Sequence, residues 1–229
     1  MEMSNNRPLI IFGTGKIADV IVKYFRLESD RHVVGYTCER EYLHSDSHQG
    51  LPLIPFDEIE TMFSPATHDL HIAVGYHRLN KARARLFGEA KAKGYNLPSF
   101  VSSRSWPGKS LVCGENCFVA DGVSVEPGAT IGHNVALWSN VVVGHHAAIQ
   151  DHCWLAAGTV VGGGAVIGER CFAALNVTIG NEVTVGADSL LGARSLVTKS
   201  QPEKSVLIER DTERFRLDSE QFLRMSKLR

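Results

Sequence analysis

The chain has 229 residues with 24 basic and 25 acidic side chains, a formal net charge of −1, and a hydrophobic share of 44%, so it has room for two modest cores. Without a Lys/Arg stripe a nucleic acid is not expected as principal partner, because phosphate contacts need clustered cations. No apolar run is long enough to cross a bilayer and no signal peptide is read ahead of the first strand, so a cytoplasmic protein without membrane partners is expected.

Residues 8–100 alternate short apolar runs with helical patterns, the signature of a small α/β, Rossmann-like βαβ sheet. Leu9–Phe12 is a buried strand that runs into Gly13, Thr14 and Gly15 and then a helix to about residue 27, after which Val33–Cys38 is a second strand. A third strand over 71–74 ends at Gly75 and precedes a basic helix over 79–93, which Gly94 stops. The turn after the first strand sets backbone N–H groups at a helix N-terminus, where an anion can sit, although a lone glycine turn is also compatible with plain strand-to-helix packing. The unit is sized for a mononucleotide or nucleotide-sugar, not a dinucleotide. Glu39 lies just past the second strand, where it could hold a ribose hydroxyl or simply belong to a solvated loop. A junction over 98–109 closes this first domain, 1–105.

From residue 113 to 196 the chain reads as fourteen consecutive six-residue units without an insertion. Every first position is Cys, Val, Ile, Leu or once Ala, every fifth is small, and nine of the fourteen fourth positions are Gly, Asn or Asp. This is the pattern of a parallel β-helix in which each unit makes one flat face and three units complete a coil of a triangular prism. First positions point inward and stack with residues eighteen further on, as Val143 with Val161, while fourth positions turn corners that favour positive φ. The second domain is thus 106–200. A tail, 201–229, follows, with a short helix over 219–228 that Ser219 would cap. Four of the five cysteines (Cys113, Cys117, Cys153 and Cys171) fall on first or fifth positions as small buried hydrophobes, and no disulfide framework is expected.

Four histidines lie in the repeat. His146 and His152 occupy corners, and their plainest reading is that imidazole tolerates the corner backbone. His133 and His145 occupy third positions, pointing off the prism. His145 stacks under Gly163, which sets an imidazole beside a backbone N–H in open space, the pair that acyl transfer needs for base and oxyanion donor. A zinc site of histidines from neighbouring copies is the competing reading, but His133 and His145 sit on different faces and no carboxylate completes a set. Cys153 points inward and is a poor nucleophile candidate.

The segments LIIFGTGKIA (9–18), AVGYHRLN (73–80), VGHH (143–146), IGERCF (167–172) and Leu175-Asn176 resemble the bacterial sugar acetyltransferases that include sialic-acid O-acetyltransferases and nucleotide-linked 4-amino-sugar N-acetyltransferases. The resemblance implies a left-handed β-helix assembled as a homotrimer with sites between adjacent prisms, and acetyl-CoA as cosubstrate without a metal. It implies His145 as general base and Gly163 as oxyanion donor. His146 stands where some members have Glu, so Asp151 or another carboxylate would have to replace that charge. Leu175 and Ala193, in one column with Ser139 and Ala157, match backbone positions that contact the coenzyme, and Trp154 replaces a histidine near its thiol. Gly13, Thr14 and Gly15 would take the phosphates of a nucleotide-linked sugar, with Gly75 and Tyr76 near its base. The implied activity is N-acetylation of a nucleotide-linked amino sugar in surface-glycan synthesis. O-acetylation of a free sugar such as sialic acid, a non-catalytic nucleotide-sugar scaffold and a carbonic-anhydrase-like metalloenzyme stand as alternatives.

Overall fold

In the computed structural model, which describes residues 7–226, the apolar run Leu9–Phe12 (β1) is wholly buried as an interior strand of a five-stranded sheet. Lys16–Glu28 (α1) follows, then Val33–Cys38 (β2), Ser47–His48 (β3), Leu51–Pro55 (β4), Asp69–Ile72 (β5) and Lys81–Ala92 (α2). The sheet order is β3-β4-β2-β1-β5, parallel except for the β3–β4 edge pair. Two strands had no legible sequence signal: β3 has two residues, and β4 carries Pro52 and Pro55, which normally argue against a strand. The third predicted strand starts and ends two residues earlier than 71–74, because Leu9 pairs with Asp69 and the carboxylate of Asp69 is matched by Arg31 at 2.5 Å. The predicted helix over 79–93 begins at Lys81; Arg78, Leu79 and Asn80 all adopt left-handed φ, between 51° and 60°.

The prism follows the six-residue period. Two-residue strands recur six apart, and each pairs in parallel with the strand one coil on, as Val142↔Val160 and Val143↔Val161. Three sheets result. The first face carries Phe118–Val119, Ala136–Leu137, Trp154–Leu155, Phe172–Ala173 and Leu190–Leu191; the second carries Ser124–Val125 through Leu196–Val197; the third runs from Thr130–Ile131 to Thr184–Val185. Inward first positions such as Val143, Leu155 and Leu191 are fully buried. All fourteen corners have positive φ, including His146, His152, Arg170, Glu182 and Arg194 at 57–64°. The backbone ladder above and below dictates that conformation even where the side chain does not favour it. The ladder also extends past both ends of the repeat: Phe100–Val101 (β6) pairs with Phe118–Val119, and Val206–Leu207 pairs with Leu190–Leu191. Of the tail, Ser219–Ser226 (α3) is helical with no buried residue, and the remainder of the predicted 219–228 helix lies outside the described residues. Its cap is Asp218, not Ser219: Gln221 N–H donates to Asp218 Oδ1 at 2.8 Å and Asp218 N–H donates back to Gln221 Oε1 at 3.2 Å, a capping box.

The sheet unit packs on the first face and on the corner between the third and first faces. Tyr24, Phe100 and Phe118 form a ring cluster with centroids 5.3 to 5.7 Å apart. Along the corner, Ile72 N–H donates to Asn116 Oδ1 (2.7 Å), Asn116 Nδ2 donates to Asn134 Oδ1 (2.9 Å), and Asn80 Nδ2 donates to Cys171 O (3.1 Å). Arg83 is 2% exposed, donates to Asn134 O at 2.8 Å, and lies 5.2 Å over the Trp154 ring, with no carboxylate partner among the described residues. Burial pushes its pKa down to about 10, so it remains a cation at neutral pH, held by carbonyls and a π-face.

His71 lies behind this junction, 1% exposed, with Nδ1 donating to Pro98 O at 2.9 Å. Desolvation pushes its pKa from the ordinary 6.5 down to about 4. The folded chain therefore binds fewer protons than the unfolded chain between those values, so stability present above pH 6.5 declines toward pH 4, by about 3 kcal/mol for this one group. His152, pushed down by burial as well, acts in the same direction. Urea unfolding across that window should show the decline, and His71→Asn should flatten it while keeping a donor for Pro98 O; an unchanged slope in the variant would refute this account.

Candidate active site

Within each coil, N–H groups of second and fourth positions enter the ladder, as Gly144 N–H to Val161 O and His146 N–H to Pro127 O. The third-position N–H points out of the corner and takes no ladder partner. On the corner between the second and third faces, side chains from neighbouring coils accept from these groups: His145 N–H donates to Glu126 Oε2 (2.8 Å) and Gly163 N–H donates to Asn181 Oδ1 (2.9 Å). On the corner between the first and second faces, the N–H groups of Ser139, Ala157, Leu175 and Ala193 have no partner among the described residues.

His145 is exposed, and its ring lies against Gly163: a Cβ built there would be 2.6 Å from both Cε1 and Nε2. Its Nδ1 is 3.2 Å from Nδ1 of the exposed His146. Two such nitrogens share one proton. When His145 Nδ1–H donates to His146, Nε2 of His145 keeps its lone pair and can act as a base; in the opposite arrangement it cannot. His146 is thus placed to select the tautomer of His145 but supplies no negative charge.

Two expectations for this corner are corrected. Asp151 does not replace the missing carboxylate, because it belongs to the next corner, where its Oδ1 accepts from His133 N–H at 2.7 Å; the acid beside His145 is Glu126. The N–H of Gly163 does not stand free, since Asn181 holds it. Trp154 is corrected too: it is 4% exposed, packed against Trp138 and Tyr76 beneath Arg83, and has no open surface for a coenzyme. His133 Nδ1 accepts from Glu115 N–H at 3.0 Å on the third-to-first corner, apart from His145. Cys153 is buried, and burial beside Cys171 raises its thiol pKa well above the usual range, so no thiolate is available there.

In the sheet unit the chain order reverses between β1 and β5, and the loops at their carboxyl ends meet in the crevice where such sheets bind ligands. Gly13, at φ 122°, leaves 3.0 Å between a would-be Cβ and Ala73 O, a fit only glycine allows. Its N–H donates to Thr37 O, so anion donors would start at Thr14 and Gly15, where nothing crowds the backbone of Gly15 and no side chain caps α1. Gly75 packs beside Ile17, and Tyr76, half exposed, lays its ring on Phe172 with centroids 4.4 Å apart. Glu39 is engaged by Arg85 at 2.6 Å. Sequence reasoning missed Glu126, Asn181, Asn80 and Arg83; only the eighteen-residue stacking rule could have pointed to Asn181, one coil beyond Gly163.

The predicted groups are therefore gathered in three places. His145, His146 and Gly163 share one corner, Leu175 and Ala193 share another, and the nucleotide loops belong to the sheet unit on the first face, which lies opposite the His145 corner.

The fold is a Rossmann-like unit joined to a left-handed β-helix built of six-residue repeats. The family described as bacterial transferase hexapeptide (six repeats) matches residues 111–145. The structure is similar to PerB from Caulobacter crescentus in complex with CoA and GDP-perosamine (24% identity, TM-score 0.77, covering 88% of this chain and 94% of that one). It is also similar to a histidine-to-asparagine mutant of perosamine N-acetyltransferase from that organism (23%, 0.78, 88% and 93%) and to the acetyltransferase domain of PglB from Neisseria gonorrhoeae (21%, 0.77, 89% and 97%). No curated protein matches the chain by sequence.

Proposed function

We propose that the chain is an acetyl-CoA-dependent N-acetyltransferase that acylates the amine of a nucleotide-linked amino sugar for surface-glycan synthesis in the cytoplasm. The observation that carries this reading is the exposed His145 imidazole laid over Gly163, with Nδ1 oriented by His146. Support comes from the similar proteins, of which PerB is seen with CoA and GDP-perosamine and the PglB domain with acetyl coenzyme A. No helix among the described residues is long and apolar enough to cross a membrane.

In this reading the sugar amine attacks the thioester carbonyl, the new N–C bond forms as the carbonyl π electrons move to oxygen, and His145 Nε2 takes the amine proton. Collapse expels the thiolate, which recovers that proton. No acyl-enzyme is required, because both reactants are held together. The free N–H groups of Ser139, Ala157, Leu175 and Ala193, spaced by one coil, fit the amide carbonyls of an extended pantetheine. That column and His145 lie on different corners of one prism. A head-to-tail ring of three prisms brings the His145 corner of one copy to the first-to-second corner of the next and closes, so the functional unit is a homotrimer with a shared site.

Thiol release measured against UDP-, GDP- and dTDP-linked amino sugars and against free sugars tests the reading, with light scattering on the same sample. The expected result is turnover confined to nucleotide-linked amines and a three-chain mass. Turnover only with a free-sugar hydroxyl would shift the assignment to O-acetylation, and no transfer to any acceptor would leave the scaffold alternative.

A further inference from the structure

The corner that carries the base already uses the N–H expected to meet the oxyanion. Gly163 N–H donates to Asn181 Oδ1 at 2.9 Å, and a Cβ on Gly162 would fall 2.5 Å from the same oxygen, so the Asn181 amide is folded back flat against the coil below. The orientation is unambiguous chemically: facing an N–H donor, the amide must present its oxygen. Its Nδ2 then faces away from Gly163, on an exposed residue, without a partner among the described residues. Polarisation through Oδ1 makes that NH₂ group a better donor.

Resting on the acetyltransferase reading, we propose that Asn181 is a further catalytic residue, which relays the Gly163 N–H outward and gives its own Nδ2–H to the thioester oxygen as that oxygen gains charge. His145 and Asn181 flank Gly163 from the coils below and above, so base and donor face the same reacting carbonyl from either side. Atoms and electrons move as described above; the donor forms a hydrogen bond to the oxyanion and transfers no proton.

Two variants, Asn181→Asp and Asn181→Ala, separate this role from a structural one. Asp keeps the acceptor for Gly163 N–H but removes the outward donor and adds negative charge. Ala frees the Gly163 N–H to serve directly. The expected result is a fall in kcat of about 10² to 10³ for Asn181→Asp, with KM for acetyl-CoA and the melting temperature little changed, and a smaller loss for Asn181→Ala. If Asn181 only satisfies the backbone, the order reverses: Asp retains activity and Ala is the damaged variant, which overturns the proposal. Wild-type-like Asn181→Asp alongside an inactive His145→Ala rejects the relay while the acetyltransferase reading stands; no transfer by the wild type with any acceptor rejects both.

Discussion

Replacing His145 by Ala is expected to lower kcat by about 10² to 10⁴ while the protein keeps its fold and its affinity for CoA. The imidazole is exposed and contributes nothing to the prism core, and Ala still offers the backbone N–H that Glu126 holds. What disappears is the ring nitrogen laid over Gly163. His146→Ala should cost less, because it removes the acceptor that selects the useful tautomer and leaves Nε2 of His145 in place. Steady-state rates and CoA calorimetry on the two variants check both points. His145→Ala with wild-type transfer to every acceptor would leave the mechanism without a base.

Gly163→Ala is expected to lower kcat by about 10²-fold without unfolding the chain. The new methyl would sit 2.6 Å from Cε1 and Nε2 of His145, so one of the two must move. Gly163 does not need a left-handed φ, so its backbone accepts Ala without strain. The ring is the free end of an exposed side chain and swings away, which takes the base out of position and leaves the coil intact. Melting temperature and kcat measured together decide the matter: equal loss of both would mean that the glycine serves packing, and retention of both would mean that the stacked geometry is not used in turnover.

Much of the fold could be read before any coordinates, because the prism repeats one set of local requirements. An inward aliphatic, a small fifth residue and a corner recur at each unit, and the coil pairs in the register those positions imply. The sheet unit was less legible. β4 hides behind Pro52 and Pro55, and the start of β5 at Asp69 makes sense only once Arg31 is seen beside it. At the site, His145 over Gly163 followed from the eighteen-residue spacing alone. The commitment of Gly163 N–H to Asn181 did not follow, since stacking gives the neighbour but not the direction in which its amide turns.

Period and composition by themselves determined a triangular coil behind a nucleotide-sized sheet, with the imidazoles of His133 and His145 off the prism, because those properties depend on neighbours at a constant offset along the chain. Only the tertiary structure decided that Trp154 and Arg83 are sealed into the junction, that Asp151 serves His133, and that His145, the N–H column from Ser139 to Ala193 and the Gly13–Gly15 turn lie on separate sides of one copy. These outcomes depend on which face the sheet unit covers. That choice is made by contacts such as Asn80 with Cys171 and Arg83 with Asn134, between groups far apart in sequence whose burial is favourable only after both units have formed.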